Sequence, residues 1–484
     1  MRILVILGVV GRLLRAFSAA FIPPILLALW DQDYDTSLHF ALALVAAFLV
    51  GTFFAFAAPV ARMFHRSEAL AVVAGTWFIV AAFAGFPYVL EGLAPVDALF
   101  ESMSGLTTTG ATILQDFGAH TRAFFLWRAM TQWFGGIGVI ALFVVVLPQL
   151  GVAGRQLFFA EASEVTESVS PQIHKAALKL WILYGTLTLL LVLLLAAAGF
   201  TPFDAVVHSF TTLSAGGFSP HPESIAGYAN PAAEWVLALF MLLAGTSFPL
   251  LWKACSARPS ALARDEEFRF YFGAMVLGGL AVAAILAFER GFQWDQVRAG
   301  LFQSASLISS TGFASVNYDE WSDGAKAILV AIMLVNGCAG SAAGGAKAIR
   351  HLIAFKFLRR EVTQMLHPYA VLPLRYGFRV IPPGILRSVV TLVAIYIVGY
   401  LAVGILVVVL GADLVTGFSA ALACLGNIGP GFDVVGPMGT YAHFPVASKI
   451  VLTLAMWVGR LEIVTMLALL HPHVWRNLQL SGRR

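Results

Sequence analysis

The sequence predicts an all-α integral membrane protein of about ten transmembrane helices, with two extra N-terminal helices leading into four membrane-pore-membrane repeats around a central pore. Three observations carry this expectation. Hydrophobic residues make up 59% of the chain and charged residues 12%, with a mean hydropathy of +0.85, whereas soluble domains are ~45–50% apolar and ~25% charged. Apolar runs of the ~20 residues that cross a hydrocarbon core recur along the whole chain, leaving no stretch for a separate soluble domain. Between them a short glycine-centred polar motif returns four times, around Gly110, Gly216, Gly312 and Gly429.

The first apolar stretch, Ile3 to Trp30, begins like a signal peptide but is longer than a secretory core region. A retained helix is expected, with Arg12 and Arg15 reaching toward a headgroup layer; a cleaved leader is the alternative. Further spans are expected at 38–61, 67–90, 124–150, 177–200, 230–254, 270–288, 325–358, 385–410 and 444–470. Basic residues gather at Arg62 to Arg66, Arg155 to Lys179, Lys253 to Arg269, Lys347 to Arg387 and Arg483-Arg484. Acidic connections stand at Asp31 to Asp35, Asp319 to Asp323 and Asp433. The positive-inside rule puts the basic segments and both termini in the cytoplasm. The divisions are then 1–66 for the leading pair, 67–160 for repeat one, 161–265 for repeat two, 266–365 for repeat three with a broken second helix, and 366–484 for repeat four.

Each repeat reads as apolar helix, short half-membrane helix, polar motif and second apolar helix. The motifs are Thr107-Thr-Thr-Gly110, Ser214-Ala-Gly216-Gly, Ser310-Thr-Gly312 and Asn427-Ile-Gly429, with central glycines 106, 96 and 117 residues apart. Such a period suits two membrane helices and a re-entrant loop. Phe100-x-Ser102-x-Ser104 upstream of Thr109-Gly110 matches Phe302-x-Ser304-x-Ser306 upstream of Thr311-Gly312, position for position. A half-helix aims the negative end of its dipole at the motif, which favours a cation. A dehydrated cation needs protein oxygens in place of water, and backbone carbonyls supply them without a trapping countercharge. Glycine allows the backbone to turn a run of carbonyls toward one axis. The expected ion-binding set is therefore Gly110, Gly216, Gly312 and Gly429, the preceding carbonyls of Thr109, Ala215, Thr311 and Ile428, and Thr108, Ser214, Ser310 and Asn427 one position further in. Close helix packing is the competing explanation for any one glycine, as for Gly135-Gly-Ile-Gly138, but not for four at regular spacing.

These motifs resemble those of the Trk/Ktr/HKT superfamily of potassium transport proteins, most closely its bacterial Trk branch. The resemblance covers essentially the whole chain. It also rests on Asn336 to Arg350, His367-Pro368 and Gly459-Arg460-Leu-Glu462, and on the two leading spans that Ktr-type subunits lack. It implies potassium uptake through a pseudo-fourfold pore in a bacterial cytoplasmic (inner) membrane, a homodimer, and gating by a cytosolic ring of nucleotide-binding (NAD or ATP/ADP) subunits. Potassium would be the transported ion, with no cofactor. Asn427-Ile-Gly429 and Ser214-Ala-Gly216 are weak copies of a potassium-channel filter, which loosens the selectivity expectation.

The small residues Gly337, Cys338, Ala339, Gly340, Ser341, Gly344 and Gly345 interrupt the eighth span, too flexible and polar for an ordinary mid-membrane helix. A close-packed crossing is the alternative; by resemblance the segment is an intramembrane gating loop. Arg460 is a costly mid-span charge that must face protein or water. It pairs with another helix or, by resemblance, faces the pore below the filter. Glu462, two residues on, points elsewhere.

His208 is expected to be packed rather than a metal ligand, and Trp30, Tyr88 and Trp321 to be interfacial anchors. Cys255, Cys338 and Cys424 are scattered, without metal or disulfide spacing. No catalytic motif of the HExxH, GxSxG or phosphate-loop kind occurs, so an enzyme is not expected, and nothing supports nucleic-acid binding. The basic cytoplasmic connections suit anionic membrane lipid or a soluble partner. An ion-coupled (H+ or Na+) secondary transporter is the alternative function, since broken helices and repeats build those sites too. Such repeats usually invert, whereas these four run parallel.

Overall fold

A computed structural model describes residues 2–57, 66–145, 169–256, 259–377 and 379–472. Most of the basic connections at Arg62 to Arg66 and Arg155 to Lys179, and the terminal Arg483-Arg484, lie outside the described residues. Among the described residues the fold is helical apart from one antiparallel pair of two-residue strands, Arg375–Tyr376 and Arg379–Val380.

Ile3–Phe17 continues through a tight turn at Ser18–Phe21 into Ile22–Trp30, one span that packs on Tyr34–Ala57. Glycine makes their crossing close: a Cβ on Gly11 would lie 2.8 Å from the Gly51 carbonyl oxygen, and one on Gly51 2.8 Å from that of Gly11. Repeat one then runs Arg66–Ala84, Pro95–Leu106 and Arg122–Val145. Repeat two runs Val169–Ala197, Pro202–Leu213 and Pro231–Ala244 with Phe248–Ser256. Repeat three runs Glu266–Arg290, Trp294–Ile308, Asp323–Val335 and Ala348–Leu366. Repeat four runs Pro383–Val409, Leu414–Leu425 and Val446–Leu461 with Ile463–Leu470.

The half-helices start where local chemistry allows. Pro95 and Pro202 supply a first turn that needs no N–H, and the Thr201 and Asp413 side chains accept from the Asp204 and Val415 N–H groups. Among the described residues six helices are long and apolar enough to cross a membrane, or eight when each bent pair counts as one span. Arg122–Val145 and the Asp323–Val335/Ala348–Leu366 pair take the matching places in repeats one and three. One apolar core joins repeats two and three; another joins the leading pair with repeats one and four.

Two spans that read as continuous are broken. The 230–254 segment bends by 104° after Ala244 and the 444–470 segment by 107° at Glu462, so among the described residues the second helices of repeats two, three and four are all interrupted, rather than that of repeat three alone. At the first break Pro249 follows Phe248, and the Ala244 and Gly245 carbonyls accept from Ala342 and Cys338 of the glycine-rich segment instead of from their own helix. At the second, Glu462 turns left-handed, φ +68°, and its carboxylate meets Arg350 at 2.5 Å. Tyr88 and Trp321 are not the expected interfacial anchors: both are buried, Tyr88 against Phe124 and Trp321 against Tyr318, where each gains more from core packing, whereas Trp30 is exposed.

Candidate functional site

The four half-helices end alike. Their last caps are Thr107, Ser214, Ser309 and Gly426. The next residues, Thr108, Ala215, Ser310 and Asn427, are left-handed with φ between +52° and +57°. The N–H groups of Thr109, Gly216, Thr311 and Ile428 then return five residues to the carbonyls of Ser104, Thr211, Ser306 and Ala423 at 2.8–2.9 Å. This is the Schellman ending, built in all four loops without its usual glycine. Gly110, Gly217, Gly312 and Gly429 follow, all with positive φ.

This correspondence corrects the second motif by one residue. Gly217, not Gly216, is the counterpart of Gly110, Gly312 and Gly429; Gly216 takes the place of the preceding carbonyl, Ala215 the inner position, and Ser214 only caps the helix. Adjacent glycines made the two registers indistinguishable as strings, and the backbone separates them.

The loops meet in a closed ring. A Cβ on Gly110 would lie 2.1 Å from the Gly216 carbonyl oxygen, one on Gly217 1.9 Å from that of Thr311, one on Gly312 2.0 Å from that of Ile428, and one on Gly429 2.6 Å from that of Thr109. Each glycine thus abuts the carbonyl before the next repeat's glycine, and repeat four closes onto repeat one. All four glycines line a cavity of about 350 Å³ that opens among the outer loops, together with Arg128, His221, Tyr441 and His443. Behind Gly436 of that lining, burial raises the Asp319 carboxyl above its ordinary range, while the Asp433 N–H, at 3.1 Å, opposes the shift.

Side chains fasten the ring from behind. The Thr107 and Thr109 hydroxyls are 2.7 Å apart and those of Ser309 and Thr311 2.8 Å. Asn427 Nδ2 donates to Thr109 Oγ1 at 2.9 Å, and the Tyr441 hydroxyl donates to the Gly429 carbonyl at 2.8 Å. Thr108 Oγ1 and Asn427 Oδ1 are buried without a hydrogen-bond partner among the described residues. Gly135 and Gly136 serve packing as expected: a Cβ on either would strike Leu106 or Tyr184. His208 is buried between the Asp204 carbonyl and Ser219, and no group of three metal-ligating side chains occurs among the described residues.

Sequence reasoning missed the pair Glu101 and Arg128, both almost fully buried, 2.7 Å apart. Arg128 also donates to the Ser219 carbonyl and Thr112 Oγ1 and lies over the Phe218 ring at 4.0 Å, while Glu101 accepts from the Ile113 N–H, so the pair ties the first two loops together. The available signal was a carboxylate in one apolar segment and an arginine in the next. Arg128→Met, which strands the Glu101 charge, is expected to cost about 3–5 kcal/mol of stability. Thermal unfolding in detergent reads this directly; an unchanged midpoint would assign the pair no clamping role.

The segment 336–347 lies between the broken helices and against the ring. Its Gly344 N–H donates to Ser310 Oγ at 2.9 Å, and a Cβ on Gly344 would lie 2.5 Å from Asn427. Cys338 and Ala342 bond the open end of Pro231–Ala244, and Gly340 accepts from Phe248. Lys347 reaches the Ala343 carbonyl. Glu267 holds both ends, accepting from the Ala339 N–H at 2.6 Å and the Ile349 N–H at 3.2 Å. Ala339, Ser341 and Gly345 complete the expected set; Gly345 has φ +71° and faces Asn336. Arg460 is buried and makes no ion pair among the described residues: Nη1 donates to the Ala342 carbonyl at 2.8 Å and Nη2 to that of Gly135 at 3.5 Å. The structure therefore brings Arg460 and the small-residue segment into direct contact.

Comparison with known proteins agrees over the same extent. The family model for TrkH, described as a cation transport protein, matches residues 40–474. The Trk system potassium uptake protein TrkH of Halomonas elongata is 33% identical over 99% of this chain and 100% of its own length. That of Escherichia coli K12 is 34% identical over 97% and 98%. The crystal structure of the potassium transporter TrkH from Vibrio parahaemolyticus superposes with a TM-score of 0.90 at 31% identity, over 98% of this chain and 100% of that one. These relatives are transport proteins, not enzymes, and the chain belongs to the TrkH family of cation transport proteins.

Proposed function

We propose that this protein takes up potassium across the bacterial cytoplasmic membrane through the ring of Gly110, Gly217, Gly312 and Gly429. The observation that carries the proposal is the cyclic contact of each glycine with the next repeat's carbonyl, which makes four unequal loops into one constriction. The carbonyls of Thr109, Gly216, Thr311 and Ile428, with Thr108 Oγ1 and Asn427 Oδ1, would replace the hydration oxygens of the ion. The relatives named above are potassium uptake proteins, which supplies the ion.

Segment 336–347 and Arg460 form the gate in this proposal, placed on the cytoplasmic side of the ring. Both termini face the cytoplasm, the chain works as a homodimer, and a separate nucleotide-binding ring drives the gate through basic connections such as Lys253 to Arg269 and Lys347 to Arg379. Broken helices also occur in ion-coupled carriers, but four repeats in one orientation around one ring favour the pore.

Expression in a potassium-uptake-deficient bacterium is expected to restore growth at low external potassium, more strongly with a cognate nucleotide-binding subunit. Absence of rescue by protein present in the membrane with that subunit would remove potassium uptake as the function.

A further inference from the structure

The four motifs are not furnished alike. In repeats one and three the residue before the ring glycine is a threonine whose hydroxyl pairs with the one two residues earlier. In repeat two that residue is Gly216, which has no side chain to pair with Ser214. A different repeat fills the space. Gln132, fully buried on Arg122–Val145, donates from Nε2 to the Gly216 carbonyl at 2.6 Å and accepts at Oε1 from the Phe218 N–H at 3.1 Å. The two partners, one acceptor and one donor, fix the amide's orientation. A Cβ on Gly216 would lie 2.4 Å from Gln132 Cδ, so the bare glycine and the inserted amide require each other.

Gln132 is also unlike its counterparts. It lies ten residues past the first residue of its helix, and the same place in the other second helices holds Met241, Met333 and Met456, all buried. A thioether cannot donate a hydrogen bond. The Thr109, Thr311 and Ile428 carbonyls accordingly receive no side-chain donor among the described residues. One ring carbonyl of four is clamped from outside its own loop.

We propose that Gln132 is a positioning residue for ion preference, acting through the Gly216 carbonyl. The inference rests on the reading of the ring as the ion path. An oxygen already accepting an N–H offers a cation less electron density and cannot swing to follow a smaller ion, so the amide sets both the field and the stiffness of one quarter of the ring. Gln132→Met gives repeat two the residue of the other three and frees the carbonyl. Gln132→Glu keeps the size and exchanges the N–H donor for a carboxyl oxygen, which changes the field at the Gly216 carbonyl whether it is ionised or donates an O–H. Gly216→Thr with Gln132→Met carries the hydroxyl arrangement of repeats one and three into repeat two, where Ser214 stands ready to pair.

The test is potassium, rubidium and sodium flux through the full-length protein in liposomes, with Gly110→Ser in parallel. Gln132→Met and Gln132→Glu are expected to shift the potassium-to-sodium ratio by roughly two- to tenfold, the worth of one amide hydrogen bond, and the double variant to recover most of the shift. Packing alone would change unfolding temperature and total flux in proportion for every ion. If neither Gln132 variant moves the ratio while Gly110→Ser does, Gln132 is structural and the inference falls. If Gly110→Ser also leaves it unmoved, the ring is not the ion path and the proposed function falls with it. Should Gln132→Met fail to fold, the isosteric Gln132→Glu decides alone.

Discussion

Gly110→Ser is expected to lower the potassium-to-sodium permeability ratio of the reconstituted protein by on the order of tenfold or more. Two physical terms act together. Gly110 holds φ +83°, a conformation that costs an L-residue with a side chain roughly 1–2 kcal/mol. The new Cβ would also fall 2.1 Å from the Gly216 carbonyl oxygen, so that oxygen must leave the ring and a hydroxyl enters near the path. A widened, hydroxyl-bearing ring discriminates less between a large cation and a small hydrated one. The same substitution is expected to be as severe at Gly217 and Gly312, where the oxygens lie at 1.9 and 2.0 Å, and mildest at Gly429, where the oxygen lies at 2.6 Å. Liposome flux with competing ions measures the order; folded variants with an unchanged ratio would take these glycines out of the path.

Arg460→Ala is expected to raise potassium flux roughly tenfold in the absence of any cytosolic partner. A unit charge ~8 Å from a cation raises its energy by about 2 kcal/mol at an effective dielectric of ~20, enough for a change of that size. The guanidinium also ties Val446–Leu461 to the Ala342 carbonyl in the middle of segment 336–347. Its removal therefore lowers an electrostatic barrier and loosens an obstruction. Glu267→Ala is expected to act in the same direction by a smaller factor, because it removes the side-chain oxygen that accepts from the Ala339 and Ile349 N–H groups. If the glycine ring is the ion path, ion preference should change in neither. Variants that insert normally yet conduct no better than the parent would make Arg460 a strut between repeats one, three and four.

What was legible beforehand follows from how each feature is written into the chain. Apolar runs and the spacing of glycine motifs are local patterns, so the helical membrane architecture, the half-helices and the break at 336–347 could be read directly. The register of Ser214-Ala-Gly216-Gly217 could not, since either glycine satisfies the string and only the left-handed Ala215 and the return of the Gly216 N–H to Thr211 decide. The bend after Ala244 has a local mark in Pro249, but the Cys338 and Ala342 N–H groups that take the freed carbonyls lie almost a hundred residues downstream. Gln132 looked like any polar residue on a helix face until the empty space beside Gly216 gave it a purpose.

The ring closes through residues at opposite ends of the chain. Asn427 reaches Thr109, the Tyr441 N–H and Thr440 hydroxyl both meet the Thr112 carbonyl, and Lys449 pairs with Asp97 at 2.6 Å. Synthesis runs from the N-terminus, so three walls of the constriction are in the bilayer before the fourth exists. A nascent or prematurely terminated chain ending before Leu414 has a gap where repeat four belongs: the Thr109 carbonyl of its first loop has no glycine against it, and Gly312 of its third loop has no carbonyl. The ring is therefore complete only when the last segment made has joined the first.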